Sequence, residues 1–533
     1  MGVAVQSKRS GVMVGAGSRA ADASANSLWS WPTLLIALCL SALPAVVRLI
    51  YYPGYLGTDD SFIHAAVIES LRAGHGWGIN PGEPVNISTS PLFTLLMLAV
   101  SWVVPDVMLA GSRLATAAVM FGVFGTFVIA SRMSGSAAIG LVAGAIAATN
   151  VHLWRWTGTF IEAPLAFAAV IGVLLAFARL HTGQVAHPAL GRFFALGLSI
   201  SVLALLRFEC ALLGPAFLLH HLVNDRSFLL RRYAAAALGG AVPLAIWGVA
   251  AWSMFGSILP TTLSAKTSAG IILLNPTLIE QYASVLGPGF LAGIVLLAAA
   301  LIVLLSRGQL AKGISAARQA TLFIAFAVAG LAFYYLKTPS LQSPARYLLP
   351  MMAVLPLAIT PFIAQAWQLA GNWLRPAAAA AVALQLVLAA VVNHTRVAPV
   401  LAGMNDAYVE AMREVAQELD RRCTSSDVVL VEFDIGVVSY YHRHGCRIAD
   451  GGALASPELR GLSVQEKLAA VRPRYVIESL GSPDRSDVAI TEPRAREVWS
   501  RLFASHSVGA PERLYRARLF ELDRPEPKTW PNG

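Results

Sequence analysis

Apolar stretches of about 20 residues recur along most of this chain, and they restrict its fold more than any other feature. A stretch of that length crosses the hydrocarbon core of a bilayer as an α-helix, in which every backbone polar group is satisfied internally. Of the 533 residues, 56% are hydrophobic and 13% are charged, whereas a soluble chain has roughly 25% charged residues. The sequence therefore predicts a polytopic α-helical membrane protein.

The pattern predicts about eleven transmembrane helices between Leu28 and His394. Their predicted ranges are 29–50, 110–131, 135–151, 162–179, 193–207, 209–223, 234–254, 284–305, 319–336, 347–367 and 376–394. The apolar segment 91–104 is short for a span, and we interpret it as an external juxtamembrane helix.

Positive charges indicate the orientation, because short cytoplasmic loops carry the excess of Lys and Arg. With eleven spans, most of these charges fall on the side of the amino terminus, including Lys8, Arg9, Arg132, Arg192, Arg231, Arg232, Arg307, Lys312 and Arg375. This predicts a cytoplasmic amino terminus. The charges also account for the formal net charge of +10. No basic tract with interleaved aromatic residues indicates nucleic-acid binding, so we expect membrane lipids and no nucleic acid as partners.

Composition divides the chain into three parts. Residues 1–27, rich in Ala, Gly and Ser, are expected to form a disordered cytoplasmic leader. Residues 28–395 form the transmembrane domain, within which 51–109 is the first external loop with its juxtamembrane helices. Residues 396–533 are more charged and alternate between helix and strand patterns, which predicts an extracytoplasmic α/β domain.

The predicted external domain has one helix, 408–422, and strands at 428–432, 447–450, 474–479 and 515–522. Cys423 and Cys446 both lie in it, and an oxidising compartment permits a disulfide. Their spacing alone does not determine the distance between them, so a bridge is one of two open alternatives.

Asp59 and Asp60 stand side by side in the first external loop, between two apolar blocks. One carboxylate there could act as a general base, and the other could hold a substrate or a divalent cation. The alternative is that they cap the following amphipathic helix, and both roles can hold at once. His64 lies one turn further on, where it could bind a phosphate or a metal, or serve as a polar residue at headgroup level.

Two acidic positions lie at the outer ends of predicted spans. Glu162 is a candidate site residue, because an acid at the head of a membrane helix must face protein or water. A structural pair with Arg155 is the alternative. Arg207 and Glu209 make a similar couple, which we interpret as structural.

The remaining external loops carry three cations, Lys266, Lys337 and Arg346. Cations on the same side as the acids are natural partners for a lipid phosphate, and arginine can bind one bidentately. Ordinary contact with lipid headgroups is the alternative, particularly for Lys337.

The run TDDSFIHAAVIESLRAGHGWGINPGEPVNISTSPLFTLL resembles the first external loop of polytopic GT-C glycosyltransferases. It is most similar to that of bacterial proteins of the terminal arabinofuranosyltransferase type. Further similar elements follow in the same order along the chain: GTFIEAPL (158–165), LLRFEC (205–210), FGSILPTTLSAK (255–266), SPARYLLP (343–350) and IGVVSYYHRHGCRIADGGALASPE (435–458).

The resemblance implies a GT-C fold and an inverting transfer of a sugar from a polyprenyl-phosphate donor. The acceptor would be a glycan, a lipid or a protein at the outer face of the bacterial inner membrane, and arabinofuranose is the first expectation for the sugar. It further implies that Asp59 is the general base, supported by Asp60, and that Lys266 and Arg346 bind the leaving phosphate. Some GT-C enzymes need a metal and others do not, which leaves a divalent cation open. A transporter or flippase of a lipid-linked sugar, and a scaffold that binds through its external domain, are the alternative functions.

Overall fold

The computed structural model describes residues 30–181, 190–224, 230–266, 270–339, 344–370, 373–432, 434–442, 445–481, 486, 495–505 and 513–522. The predicted leader, 1–27, lies outside these residues. The chain is mostly helical up to residue 422, and a small sheet follows.

The first part of the chain forms a series of helices. They are α1 (Trp31–Tyr51), α2 (Asp59–Arg72), α3 (Pro91–Ser101), α4 (Val107–Ser134), α5 (Ala137–Ala148), α6 (Val151–Trp156), α7 (Ala163–His181), α8 (Leu190–Leu206), α9 (Leu213–Asn224), α10 (Leu230–Phe255), α11 (Thr261–Lys266), α12 (Pro276–Ser306), α13 (Leu310–Lys337), α14 (Pro344–Ala370), α15 (Leu374–Val392) and α16 (Ala398–Gly403).

Among the described residues, seven helices are long and apolar enough to cross a membrane: α1, α4, α10, α12, α13, α14 and the run that begins with α15. Helices α3, α5, α7 and α8 are apolar but shorter. Each predicted span coincides with a helix. Helix α9 has only 12 residues, because the first part of the predicted span, Phe208–Leu212, forms a tight turn instead. The prediction of a polytopic helical protein is confirmed, while the number of eleven spans stays a prediction.

Helix α14 lies at the centre of the helical region and is almost entirely buried, despite Pro350, Pro356 and Pro361 within it. Its first turn carries Arg346. By contrast, α1, α10 and α12 present exposed apolar side chains such as Leu49, Ile246, Trp252 and Leu305. Such surfaces suit contact with lipid tails.

The C-terminal domain has an α/β fold. It contains α17 (Glu410–Arg422), β1 (Val428–Val431), α18 (Ile435–Tyr441), β2 (Arg447–Asp450), α19 (Val464–Val471), β3 (Tyr475–Gly481), β4 (Arg496–Ser505) and β5 (Arg513–Glu521). The sheet order is β2-β1-β3-β5-β4. Strands β1, β2 and β3 are parallel, and β5 pairs antiparallel with β3 and β4.

The helix and four strands that the sequence predicts in this domain are present, and β4 is an additional strand. Its polar residues alternate irregularly and a bulge follows Glu497, which weakens the strand pattern in the sequence. Cys423, at the end of α17, and Cys446, just before β2, are joined by a disulfide.

Polar contacts hold the C-terminal domain against the helical part of the chain. Asn80 donates from Nδ2 to the Ile448 carbonyl and accepts from the Ile448 amide at Oδ1, both at 2.9 Å. Arg447 pairs with Glu83 at 2.6 Å. Thr261, at the start of α11, donates its hydroxyl to the Leu454 carbonyl at 2.6 Å. These contacts bring the parts of the chain that carry the candidate residues into one region.

Candidate active site

A cavity of about 420 Å³ lies where the ends of several membrane helices, segment 51–109 and the C-terminal domain meet. This volume is in the range of small-molecule sites. Its charged and hydroxyl-bearing lining residues are Asp59, Asp60, His64, Ser88, Thr89, Ser90, Glu162, Arg207, Glu209, Thr262, Tyr334, Thr338, Arg346, Tyr347, Asp434 and Asp450.

Asp59 and Asp60 are the first two residues of α2, and Thr58 occupies the N-cap position. The Thr58 amide donates to the Ser61 hydroxyl at 3.2 Å, which helps to fix the start of the helix. The two acids are therefore not the cap itself, although their negative charge suits the first turn of a helix. Both side chains line the cavity.

The Asp59 carboxylate is oriented by the C-terminal domain. The Val437 amide donates to Asp59 Oδ1 at 3.1 Å, and the Gly436 amide faces the same carboxylate. Burial, the neighbouring carboxylate of Asp434 and that of Asp60 raise the pKa of Asp59 well above its usual range, against the effect of the two amides. A carboxylate with a raised pKa is a better proton acceptor when ionised, as a general base must be.

Asp60 forms an ion pair with Arg346, with 2.5 Å between Oδ2 and Nη1. Arg346 also donates from Nη2 to the Tyr347 hydroxyl at 2.6 Å. Its buried Nε has no hydrogen-bond partner among the described residues. An unsatisfied charged donor is costly to bury, and an anionic oxygen would satisfy it.

A second cluster occupies the membrane side of the cavity. Arg207 lies between two buried carboxylates, with Nη1 2.7 Å from Glu162 and Nε 2.5 Å from Glu209. On the other side of Glu162, His64 Nε2 is 3.7 Å away, and His64 Nδ1 lies 3.1 Å from the Thr94 hydroxyl. Because two acids surround its guanidinium, Arg207 holds the cluster together and has little positive charge left for a ligand.

The C-terminal domain contributes Asp434 and Asp450. Asp450 accepts backbone N–H groups of Gly452, Leu454 and Ala455 at 2.6 to 2.8 Å, and so shapes the loop that lines the cavity. Asp434 has φ 53° and ψ 67°, in the left-handed region. Burial, together with Asp60 and Asp450, raises the pKa of Asp434 to about 6.

Five of the seven site residues predicted from the sequence line this one cavity: Asp59, Asp60, His64, Glu162 and Arg346. Lys337 ends α13 and is not among the lining residues, whereas Thr338 and Pro339 after it are. Lys266 ends α11, and its side chain lies outside the described residues.

Sequence reasoning missed the roles of Arg207, Glu209, Asp434 and Asp450. The first two carried a usable signal, because they too are ionisable residues at the outer end of a span. The two aspartates follow β1 and end β2, which are neighbouring parallel strands. Carboxyl ends of adjacent parallel strands meet at one edge of a sheet, and ligands bind there.

The cavity is not a ready-made metal site. Within the described residues, the one group of three His, Cys, Asp or Glu ligands that converge closely is Cys423, His442 and Cys446, and its two sulfurs form the disulfide. The nearest acids have other partners: Asp59 faces amides and Asp60 binds Arg346. With these partners in place, the carboxylates of the described residues do not fit a divalent cation.

The structure is similar to two crystal structures of ArnT from Cupriavidus metallidurans. The apo state gives a TM-score of 0.54 and the state bound to undecaprenyl phosphate 0.53. Each is 16% identical in sequence and covers 90% of this chain and 97% of the other. No protein-family model and no curated protein matches the sequence.

A third similar structure is the oligosaccharyltransferase of Archaeoglobus fulgidus, tethered to an acceptor peptide through a disulfide. It gives a TM-score of 0.52 with 11% identity, covering 84% of this chain and 69% of the other. At such low identity the likeness establishes the architecture. The chain has the GT-C fold, as the resemblance in its external loops predicts.

Proposed function

We propose that this protein, which has the GT-C fold, is an inverting glycosyltransferase of the bacterial inner membrane. It moves a sugar from a polyprenyl-phosphate donor to a glycan, lipid or protein acceptor at the outer face. The observation that carries the proposal is the single cavity in which Asp59 lies beside the Arg346–Asp60 pair. A proton acceptor and a phosphate-binding cation are the two groups that this reaction needs.

In the proposed reaction, the acceptor hydroxyl oxygen attacks the anomeric carbon of the donor sugar from the face opposite the phosphate. The bond between that carbon and the phosphate oxygen breaks, and polyprenyl phosphate leaves with the bonding electrons. Asp59 takes the proton of the hydroxyl as the new bond forms. Arg346 neutralises the charge that develops on the departing phosphate, which lowers the barrier more than it stabilises the bound donor.

The residues around the cavity suit both substrates. A lipid donor must reach the site from the bilayer, and the cavity lies at the outer ends of the membrane helices. The Glu162–Arg207–Glu209 cluster offers carboxylate oxygens that could accept hydrogen bonds from sugar hydroxyls, and Glu209 Oε2 has no partner among the described residues. Two similar structures agree with this chemistry, since one holds undecaprenyl phosphate and the other an acceptor peptide.

Within this class, arabinofuranose is the proposed sugar, on the resemblance of the first external loop alone. Incubation of the purified protein with a panel of polyprenyl-phosphate pentoses and hexoses, followed by mass spectrometry of the products, would identify the donor. Release of polyprenyl phosphate without a glycosylated acceptor would contradict transfer.

Asp59→Asn is the decisive variant, since the amide keeps the shape of the side chain but cannot take the proton. Transfer should be abolished. Asp106→Asn is the matched control: Asp106 caps α4 in the same external region, with Oδ1 2.9 Å from the Leu109 amide, and asparagine caps a helix equally well. Full activity of Asp59→Asn would overturn the base assignment.

A transporter or flippase of a lipid-linked sugar is the alternative. Coupling groups of transporters lie near the middle of the membrane, whereas the acids of this cavity lie at helix ends and in the external domain. Movement of a lipid-linked sugar across proteoliposomes without any covalent transfer would favour this alternative.

A further inference from the structure

The turn that begins with Asp434 meets the candidate base although more than 370 residues of the chain separate them. Asp59 and Val437 are 378 residues apart and are joined by the hydrogen bond at Oδ1. The same turn contributes Asp434 and Ile435 to the cavity wall. The base in the transmembrane domain is therefore oriented by main-chain groups of the external domain.

Glycine is needed at position 436 for this contact. A Cβ atom placed on Gly436 would lie 2.1 Å from the Asp59 carbonyl oxygen and 2.7 Å from Oδ1. Both distances are far shorter than a van der Waals contact. Any side chain at this position would push the turn away from the start of α2, together with the Val437 amide.

Packing holds the turn in place from both sides. Phe62 on α2 lies against Tyr440 and Tyr441 of α18, with ring centroids 5.7 and 6.1 Å apart. The disulfide between Cys423 and Cys446 closes the segment that contains α18. A displacement of the turn would therefore move Asp59 relative to a bound acceptor.

Asp434 adopts a backbone conformation that is uncommon for a residue with a side chain. Such conformations concentrate at functional sites, where the surrounding structure maintains them. The conformation brings a second carboxylate to the cavity wall next to Asp59. Two neighbouring carboxylates in a partly closed site cannot both ionise freely, so the charge of one controls the charge of the other.

We propose that Gly436 and Asp434 are positioning residues for Asp59: Gly436 allows the turn to approach so that its amides orient the carboxylate, and Asp434 faces it as an electrostatic partner. The proposal rests on the assignment of Asp59 as the base of the proposed transferase. It makes the C-terminal domain part of the catalytic site.

Charged and titratable groups surround this pair on every side. Asp60 lies on the same helix as Asp59 and is itself paired with Arg346. Asp450 acts on Asp434 from the end of β2, and the Tyr408 hydroxyl faces Asp434 from the helical run before α17. With Asp434 neutralised, burial and Asp60 continue to raise the pKa of Asp59, but by less than before.

Two variants test the proposal on the full-length protein in detergent or nanodiscs. Gly436→Ala should lower kcat by roughly 10²-fold, the cost of a small misplacement of reacting groups, with little change in KM for the donor. Gly287→Ala is its control, since a Cβ there meets nothing within 4 Å.

Asp434→Asn should move the acid limb of the kcat–pH profile to lower pH. Glu458→Gln, at an exposed position, should leave the profile unchanged. A wild-type kcat for Gly436→Ala, or an unshifted kcat–pH profile for Asp434→Asn, would overturn the proposal.

A readout that does not need turnover separates this proposal from the proposed function. Hydrophobic carbodiimides react with protonated carboxyl groups. The extent of labelling at Asp59, measured by peptide mass spectrometry over a range of pH, therefore reports the ionisation of this side chain. The labelling midpoint should move to lower pH in Asp434→Asn. Absence of transfer by the wild-type protein would contradict the transferase only, whereas an unchanged midpoint in the variant would overturn the pairing of Asp434 with Asp59.

Discussion

Arg346 and Asp60 form an ion pair across the cavity, with Nη1 and Oδ2 2.5 Å apart. Arg346 lies in the first turn of the most buried membrane helix, and Asp60 is the second residue of α2. The Arg346 side chain is 7% exposed, and the Asp60 side chain is 29% exposed. The donor phosphate would therefore compete with Asp60 for a cation that the protein keeps neutralised until the substrate arrives.

This competition gives a double-mutant prediction for polyprenyl-phosphate binding. Arg346→Lys should weaken binding by roughly tenfold or more, because lysine loses the bidentate geometry of the guanidinium. Arg346→Gln should weaken it further, since the Asp60 carboxylate then lacks the positive charge of the arginine beside it and repels the phosphate. Adding Asp60→Asn to Arg346→Gln should recover part of the affinity, as measured by titration of the purified variants. Strictly additive effects would show that the two residues do not act on the same phosphate.

The Glu162–Arg207–Glu209 cluster should dominate the stability of the membrane side of the cavity. Arg207→Met leaves two buried carboxylates without their cation, which costs about 3–5 kcal/mol for a broken buried pair. Thermal unfolding in detergent should show a large fall in melting temperature. The exposed Arg375→Met should change stability by about 0.5 kcal/mol or less. Adding Glu162→Gln and Glu209→Gln to Arg207→Met should restore stability, and failure to do so would mean that packing, rather than charge, explains the loss.

Asp434 should make the stability of the protein depend on pH. Its folded-state pKa of about 6 exceeds the ordinary value of 3.8, so the protonated form is favoured in the folded state. The contribution of Asp434 to the stability of the fold is complete at pH values below its ordinary pKa, and it is lost as pH rises through about 6. Asp434→Asn is neutral throughout, and its melting temperature should exceed that of the wild type near neutral pH and match it in acid.

Asp427→Asn should show the opposite behaviour and serves as the comparison. Burial acts to raise the pKa of Asp427, but hydrogen bonds from Thr424 and Arg474 outweigh it and lower that pKa. The contribution of Asp427 to the stability of the fold is therefore present at pH values above its ordinary pKa, and it is lost as pH falls through its lowered pKa. The variant should be less stable than the wild type near neutral pH. Equal pH profiles for both aspartate variants would contradict the assigned environments.

The Cys423–Cys446 disulfide should stabilise the C-terminal domain. It closes a loop with a sequence separation of 23, and replacing both cysteines by alanine should cost about 3 kcal/mol through the greater freedom of the unfolded chain. Because the loop contains α18, transfer should fall as well. Thermal unfolding with and without reductant measures the first effect, and the double variant should be insensitive to reductant. Alkylation of both thiols in the unreduced protein would show that the bridge is not formed.

Asn80 should control how firmly the C-terminal domain is held against the segment between α2 and α3. Its amide accepts from and donates to the backbone of Ile448, so Asn80→Ala leaves two buried main-chain groups without partners. That loss costs about 1–3 kcal/mol per group. Hydrogen exchange of the Ile448 amide should become faster, whereas Asn224→Ala, at an exposed site, should leave it unchanged. Unchanged protection in Asn80→Ala would show that other contacts hold the domain in place.

The helical membrane architecture follows from the amino-acid pattern alone, because apolar segments long enough to cross a bilayer have few other stable structures. It also indicated the site on α2, since Asp59, Asp60 and His64 are adjacent in the chain and a single helix start brings them to one surface. Glu162 was found by a local rule as well, because an acid at the end of a membrane helix must face protein or water. Arg346 was found as a cation in a loop predicted to lie on the same side as the acids.

The surroundings of the candidate base depend on contacts between distant parts of the chain. Asp434, Gly436 and Asp450 reach it through the parallel pairing of β1 and β2 and the contact of α18 with α2. These contacts join segments nearly 400 residues apart, and no local periodicity records them. The sequence likewise presents Arg207 and Glu209 as an isolated pair, whereas the structure adds Glu162 and makes them part of the cavity wall. Periodicity and charge placement specify the helices and strands and their surfaces, whereas the close approach of two backbones, such as that at Gly436, depends on how distant elements pack.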